Sequence, residues 1–294
     1  MKIINISEKK FQSLEKYNPN NRFVNTEAEI YLFPINNNKY KIFKKFFVTS
    51  GTTFSNKMFT INTLSDYKKH ININEFVIPT ELVSISKQIS GPLMRFIKGK
   101  NLSEILYDYN ITLPLKLDLL KQFGLVLEKM KIARQQQHLK DFFIGDIHED
   151  NIIVNPYGQI KIADMDSCKI TGNMASPSKY LNTIFKKNII NEKYKIDSYN
   201  SNIITPNENT DYYCYNIMIL NTLFQDNITK LSLDEYYNYL DYLKYININI
   251  NEELLNNFKN LYTNNENRNL FYLLDDLKVT GYKANQKIYK LKTK

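Results

Sequence analysis

The chain has no tryptophan, two cysteines, three histidines and eight glycines, and no glycine precedes Gly51. Two cysteines, Cys168 and Cys214, are too few for a disulfide framework, so a reducing cytoplasm is the expected compartment. No run reaches 18 uninterrupted apolar residues, and no membrane span is expected. The N-terminus, Met1-Lys2-Ile3-Ile4-Asn5 running into Glu8-Lys9-Lys10, has no apolar core segment and no small-residue cleavage site, so no signal peptide is expected. Arginine is scarce as well: Arg22, Arg95, Arg134 and Arg268 are the four among 39 basic residues. Nucleic-acid readers lean on arginine for bidentate contacts, which makes nucleic acid an unexpected partner.

What is present is globular. The 294 residues suggest about two domains or lobes at roughly 150 residues each. The chain is long enough to bury a core without disulfide or metal staples. Its 43% hydrophobic and 23% charged residues argue against wholesale disorder. The net charge of +9 comes from lysine, in a composition also rich in Asn, Ile and Tyr, as AT-rich coding produces. It still favours anionic ligands, phosphates included.

The first hundred residues read mainly as strands. Residues 29–33 and 39–47 flank the turn cluster Pro34-Ile35-Asn36-Asn37-Asn38 and form a hairpin. Met58, Ile61 and Leu64 mark a short amphipathic helix over 55–67 with Ser55 as N-cap. Strands follow at 77–83 and 91–97. Helices dominate from Asn101 onward. Thr112 and Pro114 open a helix whose stripe Leu117, Leu120, Phe123, Leu127 and Met130 runs to about Gln137. Residues 211–224 are nearly all apolar, which predicts a buried helix, and Ser232 to Glu235 is a capping box. Helices at 251–261 and 267–277 complete the set. A strand-rich first part and a helical second part give an α+β fold with a cleft between two lobes.

The chemistry concentrates in residues 144–168. Asp146 and Asn151 stand five apart in a loop, followed by a strand pair at 151–154 and 159–163 joined by Asn155-Pro156-Tyr157-Gly158. Asp164 ends the second strand. A carboxylate, an amide and a second carboxylate therefore converge at one end of a short hairpin, and hard oxygen ligands of this kind suit magnesium held against phosphates.

These residues resemble the protein-kinase superfamily, whose catalytic loop H-R-D-L-x-x-x-N precedes a D-F-G turn. Here the corresponding residues are Asp146-Ile147, Asn151 and Asp164-Met165-Asp166, at the family's spacing. The resemblance covers roughly residues 20–280 and implies a bilobal kinase-like fold, with an N-lobe at 1–97 and a C-lobe at 98–294. It implies ATP and Mg2+ as cofactors, Asp146 as the catalytic carboxylate at the substrate hydroxyl, and Asn151 and Asp164 as metal ligands. Asp211 would open the buried helix and buttress the catalytic loop. Met94 would gate the adenine pocket, with Phe96 in the hinge segment 95–97 whose backbone would bond adenine. Of the strand lysines, Lys41 precedes Ile42-Phe43 as the family's lysine precedes two apolar residues; Lys44, on the opposite face, is the alternative. Residues 164–210 would form the activation segment.

Several positions depart from the family pattern. Residues 25–29 stand where the Gly-rich loop should be, and Glu27 and Glu29 would oppose phosphate charge. No Glu lies between Phe46 and His70 to pair the lysine, and Asn56 is the nearest polar candidate. Gly145-Asp146-Ile147-His148 is similar to the G-D-x-H of aminoglycoside and choline phosphotransferases, with His148 a hydrogen-bonder within the loop. Asp166 is either a second metal carboxylate or a cap, and Cys168 a buried filler. The expected function is ATP-dependent phosphorylation of Ser/Thr hydroxyls on a protein. A small-molecule phosphotransferase and a nucleotide-binding pseudokinase are the alternatives.

Overall fold

The computed structural model describes residues 1–17, 27–36, 39–173, 206–245, 248–262 and 267–279. The order is β1 (Lys2–Ile6), α1 (Glu8–Gln12), β2 (Glu15–Lys16), β3 (Ala28–Asn36), β4 (Lys39–Phe46), α2 (Gly51–Ile71), β5 (Glu81–Ile85) and β6 (Gln88–Arg95). Then come β7 (Lys100–Asn101), α3 (Leu102–Leu106), α4 (Leu113–Ala133), β8 (Ile152–Val154) and β9 (Ile160–Ile162). The last are α5 (Glu208–Phe224), α6 (Leu233–Tyr245), β10 (Ile248–Asn249), α7 (Glu252–Lys259) and β11 (Lys278–Val279). The fold is mixed α+β. Among the described residues, no helix is long and apolar enough to cross a membrane.

Six strands form one sheet in the order β1-β5-β6-β4-β3-β2, with β1 parallel to β5 and the other pairings antiparallel. Strand alternation divides β4 between two faces. Phe43 joins Phe33, Val83 and Leu93 in one apolar cluster. Phe46 joins Ala28, Leu82 and Ile61 of α2 in another. Lys44 is in step with Phe46, so it lies on the face that α2 covers, whereas Lys41 is in step with Phe43. This parity decides which lysine can reach the rest of the molecule through that face.

The expected helix at 55–67 extends in both directions. Ser50, not Ser55, is the N-cap, and Asn72 ends the helix in the left-handed conformation at φ 43°, donating its N–H to Lys68 O. The expected strand at 77–83 forms later, at β5. The chain leaving α2 instead bonds to β9: Val77 N donates to Ile162 O at 2.9 Å and Ile162 N to Glu75 O at 2.8 Å. The helix from Thr112 stops at Ala133, and all five residues of its expected stripe are buried. It packs with α5 inside the largest core cluster, which also holds Leu64, Ile73 and Phe76. The expected helix at 267–277 is a 3-10 turn at Phe271–Asp276. The segment expected for activation lies largely outside the described residues.

Gly91 lies at an irregularity in the β5–β6 pairing, where Val83 pairs with Gly91 but Ser84 with Ile89. Its φ is 155°, and a Cβ there would fall 1.9 Å from Lys44 O. The backbone of β6 can approach β4 at Lys44 because this residue has no side chain. Gly91→Ala should therefore destabilise the fold by about 1–3 kcal/mol or more through overpacking. Urea unfolding tests this, and a midpoint equal to wild type would refute the close-approach account.

Candidate active site

The hairpin β8–β9 pairs Ile152 with Ile162, and Ala163 N donates to Asn151 O at 2.8 Å. That register sets Asn151 and Asp164 side by side at one end of the hairpin. Asn151 Nδ2 donates to the backbone carbonyl of Asp146 at 3.0 Å and to its Oδ2 at 3.5 Å. The amide nitrogen is thus committed to the loop, and only its Oδ1 could serve as a ligand atom. Asp164 has φ 58°, a left-handed conformation that costs a non-glycine residue energy and is common at functional turns.

Asp211 sits in the first turn of α5, buried. Its Oδ2 accepts from Ile144 N and its Oδ1 from Gly145 N, each at 3.0 Å. Gly145 has φ 76°, which favours glycine and turns the chain between these donors and Asp146. Burial pushes the Asp211 carboxyl up to about 6, against the opposing pull of the Gly145 and Ile144 N–H groups and Arg134. His148 Nε2 lies 3.8 Å from Asp146 Oδ1. Its Nδ1 lies 3.8 Å from Asp150 Oδ2 and is buried without a hydrogen bond.

Lys44, not Lys41, meets the Asp164 turn. Its ammonium bonds Asp164 Oδ1, lies 3.0 and 2.9 Å from the two Asp166 oxygens and 3.2 Å from Glu27 Oε1. Lys41 bonds Glu81 and donates to Thr80 Oγ1 at 3.3 Å, on the other sheet face. The preference for Lys41 rested on the Ile42-Phe43 context; the choice belongs to strand parity, because Lys44 shares its face with α2. Glu29 likewise faces away from the cluster, 2.7 Å from Lys16 Nζ, while Glu27 takes part in it. Met94 is buried in β6 opposite Ile42. Phe96 packs edge-to-face on Tyr17 at 5.5 Å.

Lys57 of α2 is the residue that sequence reasoning missed. Its Nζ lies 2.7 Å from Glu27 Oε1, and 3.4 Å from both Asp166 Oδ2 and Ser167 Oγ. The signal was present: Lys57, Ile61 and Leu64 follow the helical i, i+4, i+7 spacing of a buried stripe. Asn56, the expected polar stand-in, contributes its backbone carbonyl to Asn173 Nδ2 at 2.8 Å. Cys168 is buried as expected, and burial pushes its thiol up.

Electrostatics separate the two carboxylates. Burial raises Asp164, further helped by Asp166, with Lys44 opposing. Burial also opposes ionisation of Asp166, but Lys44 and Lys57 together outweigh it and hold Asp166 below the usual carboxylate range. For Lys44, burial works against the ammonium, and Asp164, Asp166 and Glu27 overcome it. Oxygens of Glu27, Asp164 and Asp166 all lie within 4.8 Å of one another. These hard oxygen donors could hold a metal ion.

Asp211→Ala should cost about 1–3 kcal/mol for leaving buried donors unpaired, read by urea unfolding. An unchanged midpoint would rule out the buttress. The pH dependence follows from the raised carboxyl. Asp211 contributes stability below about pH 4 that is lost as pH rises through about 6. The stability difference between wild type and Asp211→Asn should therefore narrow over that window, and a flat difference would contradict the shift. No family model and no curated protein matches the chain, so the reading of this site rests on its own geometry.

Proposed function

We propose that the chain is an ATP-dependent phosphotransferase with a protein-kinase-like bilobal fold, the lobes at 1–97 and 98–294, transferring phosphate to Ser/Thr hydroxyls of a protein. The observation that carries this reading is the contact of Lys44 with Asp164 across 120 residues of sequence, beside the Asp146–Asn151 pair. Phosphoryl transfer needs a cation for the phosphates, oxygen ligands for metal and a carboxylate at the attacking hydroxyl. Lys44 supplies the first, Asn151 and Asp164 the second, and Asp146 the third. Magnesium, when bound, neutralises charge on the phosphate oxygens.

Asp146 orients the hydroxyl and takes its proton as the new bond forms. Its carboxylate is fixed for this from below, because Asn151 grips the same residue's carbonyl. Asp211 holds the two preceding N–H groups, so the loop cannot turn away. A second reading, a small-molecule phosphotransferase, is favoured by one observation: His148 lies beside Asp146 in the Gly145-Asp146-Ile147-His148 loop.

Wild type should show a thermal shift with ATP that grows with magnesium, and should transfer labelled phosphate from ATP to a generic protein acceptor. Lys44→Met should lower that transfer at least about a hundredfold, about 2.7 kcal/mol at the transition state. Asp146→Ala should lose it to a similar extent or more. Lys41→Met should leave it within about threefold, as expected of a residue outside the site. No magnesium-dependent shift in wild type would overturn the nucleotide reading. Binding without transfer to any acceptor would favour the pseudokinase, and transfer confined to small alcohols the second reading.

A further inference from the structure

In the resembled family the strand lysine is paired by a glutamate from the neighbouring helix. Here the helix residue facing the strand lysine is itself a lysine. Lys57 is buried on the inner face of α2, and the one acidic residue of that helix is Asp66, nearer its C-terminal end. The carboxylate between the two lysines is Asp166, whose side chain is fully buried. It receives Lys44 through both oxygens and Lys57 through Oδ2. From α2 to the sheet the charges therefore alternate as Lys57, Asp166, Lys44, and Glu27 bridges the two ammonium groups from the solvent side.

We propose that Asp166 is the positioning residue for Lys44, and that Lys57 ties it to α2. The lysine clamp then comes from the turn after β9, which also carries Asp164. The proposal rests on the kinase reading for what Lys44 is positioned to do, but the pairing itself needs no nucleotide. Three facts favour it over an incidental contact. Asp166 engages Lys44 with two oxygens, a geometry that fixes direction as well as distance. Two ammonium groups converge on one oxygen of this fully buried carboxylate, Lys44 Nζ at 2.9 Å and Lys57 Nζ at 3.4 Å from Oδ2. The same turn is tied to α2 a second time, through Ser167 Oγ at 3.4 Å from Lys57 Nζ. Asn173 adds a further tie, to the backbone carbonyl of Asn56.

The test is trace acetylation of the folded protein in EDTA with acetic anhydride, with Lys44 modification read by mass spectrometry relative to the exposed Lys39. In wild type the ratio should be low. Asp166→Asn should raise it roughly tenfold, as expected for losing a charge-assisted hydrogen bond. Asp166→Glu, which keeps a carboxylate, should return it to within about twofold of wild type, and should restore phosphate transfer lost in Asp166→Asn. The double change Lys57→Glu with Asp166→Asn moves the carboxylate to the helix and should also lower the ratio. An Asp166→Asn ratio equal to wild type in folded protein would overturn the proposal, because Asp164 and Glu27 would then suffice. Should Asp166→Asn not fold, Lys57→Met provides the test: removing the tether should raise the ratio several-fold, and no change overturns the proposal. The labelling ratio judges the pairing whether or not wild type binds ATP, so failure of the kinase reading shows separately, as absent nucleotide binding.

Discussion

Three carboxylates and two ammonium groups share one place between β4, α2 and the turn after β9. Withdrawing any one of these charges from water costs several kcal/mol, and the group is tolerable because each finds an opposite partner within hydrogen-bonding reach. Glu27, Asp164 and Asp166 against Lys44 and Lys57 leave one formal negative charge over. Burial and the neighbouring Asp166 raise the Asp164 carboxyl against the pull of Lys44, so Asp164 is the member of the group that most readily takes up a proton. Lys44 of the sheet and Lys57 of the helix both meet Asp166 in the turn after the hairpin. The sheet, the long helix and the β8–β9 hairpin are therefore joined by electrostatics as well as by apolar packing.

The apolar part of the arrangement sets the geometry on which those charges depend. Phe46 lies under both lysines, its ring centre 5.4 Å from Lys44 Nζ and 5.8 Å from Lys57 Nζ. The lysine stems lie along apolar surface while their ends converge on the carboxylates. Asp211 fixes the loop at Ile144 and Gly145 from a helix that is buried along nearly its whole length. A carboxylate placed at the start of such a helix cannot shift to suit the loop, so the loop conforms to the helix.

Much of this was legible in the sequence, and the omissions have physical causes. The spacing of Asp146, Asn151 and Asp164 around two short apolar strands predicts their convergence because a hairpin register leaves little freedom. Asp211 was legible for a similar reason: an acid opening an apolar helix must find buried donors. Lys41 was preferred over Lys44 because local sequence context says nothing about which sheet face a helix will cover; that is decided by Ile61 and Phe46 meeting across the chain. Lys57 escaped notice because a lysine within an amphipathic stripe reads as solvated, and its burial depends on a carboxylate 109 residues away. The helix expected at 267–277 is instead a 3-10 turn at Phe271–Asp276, a short form whose choice over an α-helix local sequence does not dictate.

The bonds between residues 75–77 and Ile162 anchor the C-terminal end of α2 to the hairpin that carries Asn151 and Asp164. Ile71, Ile73 and Phe76 root the same end in the largest core. Lys57 lies 14 residues before Ile71, about 21 Å along the axis at 1.5 Å per residue. The helix is in effect a lever rooted in the largest core at its C-terminal end and seated on the sheet through Ile61 near the charge cluster. A tilt of roughly 5° about the rooted end would carry Lys57 by about 2 Å, enough to part it from Asp166 without breaking a backbone hydrogen bond in the helix. Anything that pushes on the N-terminal half of α2 would thus be felt at Lys44 through a side chain, with the hairpin, Asn151 and Asp164 left in place.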